Sequence, residues 1–395
     1  MTPTHRAVAG GCALGLAAGW NLANAGAVAQ PLADAYGIGL ATVGLFTTAL
    51  FVTHLAMQIP AGRASDQFGP RLVGFYGLVI IAAFSAVALI AHDTALALSM
   101  RALTGVGTGL SFIAGSAYVR AHGGSPFAQG LFGGVGLAGG GVALAVVPRV
   151  ESWVDWRAPF LTALCVALAG LLLLAAGPAD GPRPSRRAAR DSASVGIVRD
   201  RQLYPLAALY AASLGLSIVI GNWVVTLLHR DGGLDKGTAG AIGALTLALG
   251  IVTRPLGGWI LHVHPAWARR AVGSSLLAGA LGTILLLTAR PSAAAAGAVL
   301  VGLAAGIPFA PAFTGAALTR PDAQAAAVGF VNGAASVVVL VGTPLVGLTF
   351  SQPGGGRTGF AVVAVLWLAA FLVLPSAARL GAAPTATAAP RSRSG

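Results

Sequence analysis

The chain has 395 residues, 56% hydrophobic and only 9% charged, with a formal net charge of +13. A typical soluble domain is about 25% charged; a water-soluble globular fold is therefore excluded, because this much apolar surface needs a bilayer as its solvent. Cys12 and Cys165 stand far apart inside apolar runs, so they read as small hydrophobes, and neither a disulfide nor a metal site is expected.

A spanning helix needs roughly 20 predominantly apolar residues. In chain order, cuts at charged or Gly/Pro-marked turns leave runs near 8–32, 38–60, 72–91, 96–118, 128–148 and 158–177. The first of these, with AVAQ near residue 30, imitates a signal peptide. It is long enough to span, however, and Asn21 and Asn24 interrupt what a signal core keeps apolar, so it is read as an uncleaved first span. A polar stretch follows at 178–202, then six more runs near 203–228, 238–261, 271–289, 293–318, 325–349 and 359–378. The expectation is an all-α membrane protein of twelve transmembrane helices. They form two groups of six, 1–177 and 203–380, joined by a linker at 178–202 and followed by a low-complexity tail at 381–395.

Gly19 and Gly215, Gly62 and Gly258, and Gly133 and Gly329 share one spacing, and that spacing lays the turn after span 2 over the turn after span 8. With Gly this frequent the repeat is weak by itself, but two parallel six-span halves are a known architecture. With the N-terminus placed in the cytoplasm, sixteen of the 24 Lys and Arg fall in inner segments and six in outer loops; Arg101 and Arg254 fall inside spans. Positive residues concentrate on the cytoplasmic side, so both termini are expected there, on a multi-pass protein of the inner (plasma) membrane. A basic inner loop beside anionic lipid accounts for the net charge, and no nucleic-acid partner is expected. The 11 carboxylates all fall in loops or toward the outer ends of spans.

The turn between spans 2 and 3, PAGRASDQFGPR (60–71), puts both signs of charge into a reversal marked by Gly and Pro. It resembles the signature loop of the major facilitator superfamily, written G-x-x-x-D-[RK]-x-G-[RK]-[RK]. Gly62, Asp66, Gly69 and Arg71 match, while Gln67 and Pro70 stand where cations are usual. RALTGVGTG (101–109), WRAPF (156–160) and RPLGGWI (254–260) look like further elements of that family, the last as a degenerate second copy of the loop. The resemblance implies two pseudo-symmetric six-helix bundles that rock about a central site. It implies that Gly62, Asp66, Gly69 and Arg71 form a conformational latch, with Asp66 near a second-half helix N-terminus and paired with Arg120. The bland alternative is a solvated turn that obeys the positive-inside rule.

The same resemblance places spans 1, 4, 7 and 10 around the cavity, which makes Asn21, Asn24, Arg101, Thr104, Thr108 and Asn222 candidate substrate contacts. Arg101, Thr104, Thr108 and Ser111 share one helix face by their spacing. Arg101 either faces solute or pairs with backbone carbonyls, and the small polar residues equally serve to join helices. Arg254 is a cation within the hydrocarbon and a functional candidate by default; otherwise it belongs to the loop clasp near the interface. RPLGG is similar to the nitrate/nitrite porter branch, but span 2 carries His54 and Gln58 where that branch has an additional Arg. Pro308 and Pro311 are expected to bend span 10. No phosphate-binding loop of the G-x-x-x-x-G-K-[ST] type is present, so neither an enzyme nor a cofactor is expected. The leading expectation is a monomeric secondary transporter of a small solute, anionic because its intramembrane charges are positive. The alternatives are a proton-coupled exporter titrating at Asp34 or His54, and a non-transporting sensor.

Overall fold

The computed structural model describes residues 2–90, 93–181 and 196–382. Most of the expected linker and nearly all of the expected tail lie outside those residues. Among the described residues the secondary structure is helical, without strands. The first group of helices is α1 (Pro3–Ala23), α2 (Ala29–Tyr36), α3 (Leu40–Ala56), α4 (Gln58–Phe68), α5 (Pro70–Ala88), α6 (Thr94–Ala121), α7 (Pro126–Val154) and α8 (Ala158–Ala175). The second is α9 (Tyr204–Tyr210), α10 (Ser217–Thr226), α11 (Lys236–Ala248), α12 (Gly250–Val263), α13 (Pro265–Leu287), α14 (Pro291–Gly306), α15 (Phe309–Thr319), α16 (Gln324–Thr349) and α17 (Arg357–Leu372).

Nine described helical stretches are long and apolar enough to cross a membrane, ten if the pair Thr42–Ala56 and Gln58–Phe68, bent by 47°, is one span. One of the nine, Pro126–Ala175, runs 50 residues but breaks at Asp155, where φ is 55°. Its arms α7 and α8 return to the same face: Tyr118, near the end of α6, hydrogen-bonds the Pro178 carbonyl just past α8, and α7 begins just after α6 ends. Leu172, Leu372, Ile90 and Val365 are exposed apolar side chains that water would not tolerate in such number and a hydrocarbon solvent receives.

Proline sets the breaks. Pro308 stands in the break between α14 and α15, since proline cannot donate to the helix ladder, while Pro311 lies within α15. Pro126, Pro159 and Pro265 stand in first turns, where their missing N–H costs nothing. The span α9–α10 is interrupted by π-turns at Ala211–Leu216 and Leu227–Asp231; such bulges are rare and recur at functional positions.

The two groups meet on two seams. α4 packs on the start of α16, and α7 packs on α12 and α15. Both seams are built on glycine. A Cβ at Gly62 would overlap the Ala325 carbonyl, and one at Gly329 the Gln58 carbonyl. A Cβ at Gly130 would overlap the Arg254 carbonyl, and one at Gly133 the Phe309 ring. Small residues let helix backbones approach this closely in a membrane.

Candidate functional site

On the face that carries the α4–α5 turn, Asp66 sits at the N-terminus of α16. Its Oδ1 accepts from the Ala325 N–H at 2.9 Å and its Oδ2 from the Ala326 N–H at 3.0 Å. The first N–H groups of a helix have no intrahelical partner, and the helix dipole is positive there. The carboxylate of one group thus caps a helix of the other. Arg120 reaches the same place indirectly: its Nε donates to Gln324 Oε1 at 3.3 Å, and its charge acts on Asp66. The direct Asp66–Arg120 pairing implied by the family resemblance is not formed: Arg120 is engaged by Gln324, the first residue of α16, while Asp66 caps that helix through the Ala325 and Ala326 N–H groups.

Gly69 and Arg71 serve a different joint. Gly69 has φ 91°, a conformation only glycine adopts easily. The Arg71 N–H donates to both oxygens of Asp180, at 3.1 and 3.2 Å. Its guanidinium donates to the carbonyls of Leu174 and Ala175 at the end of α8. These residues fasten α5 to α8 within the first group. On the same face Arg320 forks onto Asp322 and lies 3.7 Å from Asp200. That hydrogen bond holds the Asp322 carboxyl below the usual carboxylate range.

Deeper in, a polar seam crosses between the groups. Asn332 of α16 donates to Gln58 Oε1 at 2.7 Å, and the Gln58 amide donates to the His54 carbonyl. His54 is buried and its Nδ1 lies 3.0 Å from Thr108 Oγ1. The Thr104 and Thr108 hydroxyls return to carbonyls of their own helix.

The two intramembrane arginines have different surroundings. Arg101, 2% exposed, lies inside the first group and donates to the Asn21 and Phe46 carbonyls at 2.7 and 3.4 Å. Asn24 donates to the Pro159 carbonyl in the same region. Arg254, 3% exposed, lies on the seam itself. One arm donates across it to the Gly133 carbonyl at 2.7 Å, and its Cζ lies 4.7 Å above the Phe309 ring. Its Nε is buried without a hydrogen-bond partner. Among the described residues no carboxylate lies within ion-pair distance of either arginine. Phe112 and Phe132 of the first group and Tyr210, Phe309 and Phe313 of the second form one ring cluster beside it.

Asn222 is exposed and donates to Thr343, and Asp34 is exposed and accepts from Gln30. The structure therefore gathers Gly62, Asp66 and Arg120 at the α16 cap and His54 with Thr108 beside the Gln58–Asn332 bond. It leaves Asn21, Asn24 and Arg101 inside the first group, and Asp34 and Asn222 at the periphery. Sequence reasoning does not single out Gln324, Asn332, Tyr210 or Phe309, and it marks Gly133 only through the repeat spacing. The lone amide of Asn332 in an apolar run was the one signal available.

The sequence model described as Major Facilitator Superfamily matches residues 10–317. The chain belongs to the major facilitator superfamily. The facilitator fold is also seen in solved structures. The human organic anion transporter MFSD10 (TETRAN) is 19% identical, with a TM-score of 0.72 over 95% of this chain and 100% of that one. The E. coli fucose:proton symporter FucP is 15% identical, with a TM-score of 0.71 over 93% and 97%. Among curated facilitators, a protein named as the probable sulfoacetate transporter SauU of Cupriavidus necator is 26% identical over 288 residues, 66% of each chain. The multidrug transporter protein MdtP of Bacillus subtilis is 26% identical over 148 residues, 35% of this chain and 26% of that one. The matched stretch thus spans just under two thirds of the first relative's length and about a quarter of the second's.

Proposed function

We propose that this facilitator is a secondary active transporter that carries a small anion by rocker-switch alternating access, as a monomer without cofactor or enzymatic step. The observation that carries the reading is Arg254. It is a buried guanidinium on the seam between the two groups, with one nitrogen unpartnered and, among the described residues, no carboxylate within ion-pair distance. An unpaired cation within the bilayer is costly and marks a solute or ion path, and a guanidinium suits a planar anion. Sulfoacetate, in the name of the relative at 26% identity, is an anion. The groups α1–α8 and α9–α17 act as the rocking bundles, with twelve crossings once the bent pair Thr42–Ala56 and Gln58–Phe68 counts as one, Pro126–Ala175 as two and Arg357–Leu372 as one. The Asp66 cap on α16, which ties the two groups together on that face, supports reading this arrangement as the one closed there.

A second reading, a proton-coupled exporter of a drug or metabolite, is favoured by buried His54 on the polar seam. Uptake into proteoliposomes, with and without a pH gradient, separates the two. Saturable uptake of small organic anions is expected. Gradient-driven movement of lipophilic cations with no anion flux would replace the anion reading by the exporter reading.

We place the Asp66 face in the cytoplasm, because the basic residues gather there. Gln202 lies on that face and Gln352 on the other, and both are exposed. In intact cells a membrane-impermeant thiol reagent is expected to label Gln352→Cys and spare Gln202→Cys; the opposite pattern inverts the topology.

A further inference from the structure

Two buried donors next to one aromatic ring have no partner. The Arg254 guanidinium lies over the face of Phe309, with its Nε unpaired. The Tyr210 ring meets the same Phe309 edge to face, centroids 5.8 Å apart, and its hydroxyl is buried and unpaired. Tyr210 is fully buried. It is the last α-helical residue before the π-turn Ala211–Leu216, which sets its place in the bundle. Buried polar groups are nearly always hydrogen-bonded, and each exception asks for an explanation. Here two donors, one of them charged, share a ring, and among the described residues no carboxylate forms an ion pair with Arg254.

The rings packed around them are apolar. Phe112 and Phe132 come from the first group and Phe313 from the second, and Phe309 and Phe313 lie 4.4 Å apart. A small inorganic anion is hydrated on every side. Two donors and a wall of rings replace only part of that shell, and the remainder is lost at a cost. An anion with one oxygen-bearing end and one apolar end has no such deficit. Its oxygens take the two donors while its body meets the rings.

We propose that Tyr210 and Arg254 together seat a compact organic oxyanion, a carboxylate or sulfonate with an apolar body lying against Phe309 and Phe313, a specificity that rests on and narrows the anion reading. Tyr210 supplies the second donor and favours oxygen-bearing anions over spherical ones. In the arrangement seen here the Gly133 carbonyl holds one arm of Arg254 across the seam. A carboxylate is the stronger acceptor, so the arriving anion displaces that carbonyl. Filling the seat and loosening α7 from α12 are then one event.

The test uses purified full-length protein, with benzoate and benzenesulfonate as organic probes and chloride and nitrate as inorganic ones. Binding is read by thermal shift and by displacement. Wild-type protein is expected to bind the organic probes at least tenfold more tightly than the inorganic ones. Tyr210→Phe is expected to weaken the organic probes about tenfold. Without probe, its unfolding midpoint is expected to stay at or above the wild-type value, because it removes an unpaired buried hydroxyl. A hydroxyl with a structural partner would instead lower that midpoint, and such a fall overturns the assignment. Unchanged probe affinity in Tyr210→Phe, or chloride and nitrate binding as tightly as benzoate, also overturns it while leaving anion transport standing. If wild-type protein binds none of the four anions, the anion reading itself fails, and this inference with it.

Discussion

Asp66→Asn is expected to leave the protein folded and membrane-inserted but to release the closed state of the Asp66 face. The substitution keeps the shape of a carboxylate that accepts two backbone N–H groups at a helix start. It removes the charge, and it turns one oxygen into an NH₂ that faces another donor. Hydrogen bonds to charged groups contribute about 1.5–3 kcal/mol each, and the helix dipole adds to that at short range. Losing about that much shifts a two-state population roughly ten- to a hundredfold. Spin labels at exposed sites across the face, one in each group, report the change as a longer distance distribution. Transport is expected to fall with it, because a transporter held in one state does not cycle. Wild-type distances together with wild-type transport would show that the cap is only a solvated turn. Gln324→Ala tests the indirect arm of the same clasp and is expected to have a smaller effect, since it leaves both backbone donors to Asp66 in place.

Arg254→Lys is expected to lower anion uptake at least tenfold, and Arg254→Gln to abolish it. Lys keeps the charge but loses the planar fork, so it cannot hold a carboxylate with two parallel bonds or lie flat on the Phe309 ring. A factor of ten corresponds to about 1.4 kcal/mol, less than one charge-assisted hydrogen bond. Arg101 serves as the comparison. Its guanidinium is held by the Asn21 and Phe46 carbonyls inside one group, so Arg101→Lys is expected to change thermal stability more than affinity. Uptake rates over a range of substrate concentrations separate the cases: loss at Arg254 appears in the concentration dependence, loss at Arg101 in the amount of folded protein. If Lys and Gln at 254 both transport anions as wild type does, the site lies elsewhere.

The sequence by itself determined the solvent, the helical class and the family. Low charge and long apolar runs leave the backbone no choice in a bilayer but to satisfy its own hydrogen bonds within helices. The Gly62–Arg71 motif identified the turn, and Asp66 found its helix N-terminus because a carboxylate and an uncapped helix start attract each other in any bundle that brings them close. The partition of that motif was not legible. Asp66 acts between the groups, whereas Arg71 acts within one, on Asp180 and the end of α8, and nothing in a one-dimensional spacing separates the two. Nor could hydropathy distinguish Arg101 from Arg254, two cations in apolar runs. Only the tertiary structure decided that one meets carbonyls of its own group while the other crosses a seam. Tyr210 and Phe309 carry no sequence signal that separates them from other core aromatics, for the same reason. Helical periodicity says which side of a helix is apolar, but which helices pair, and which donors remain unpaired, depends on close packing between residues far apart in the chain.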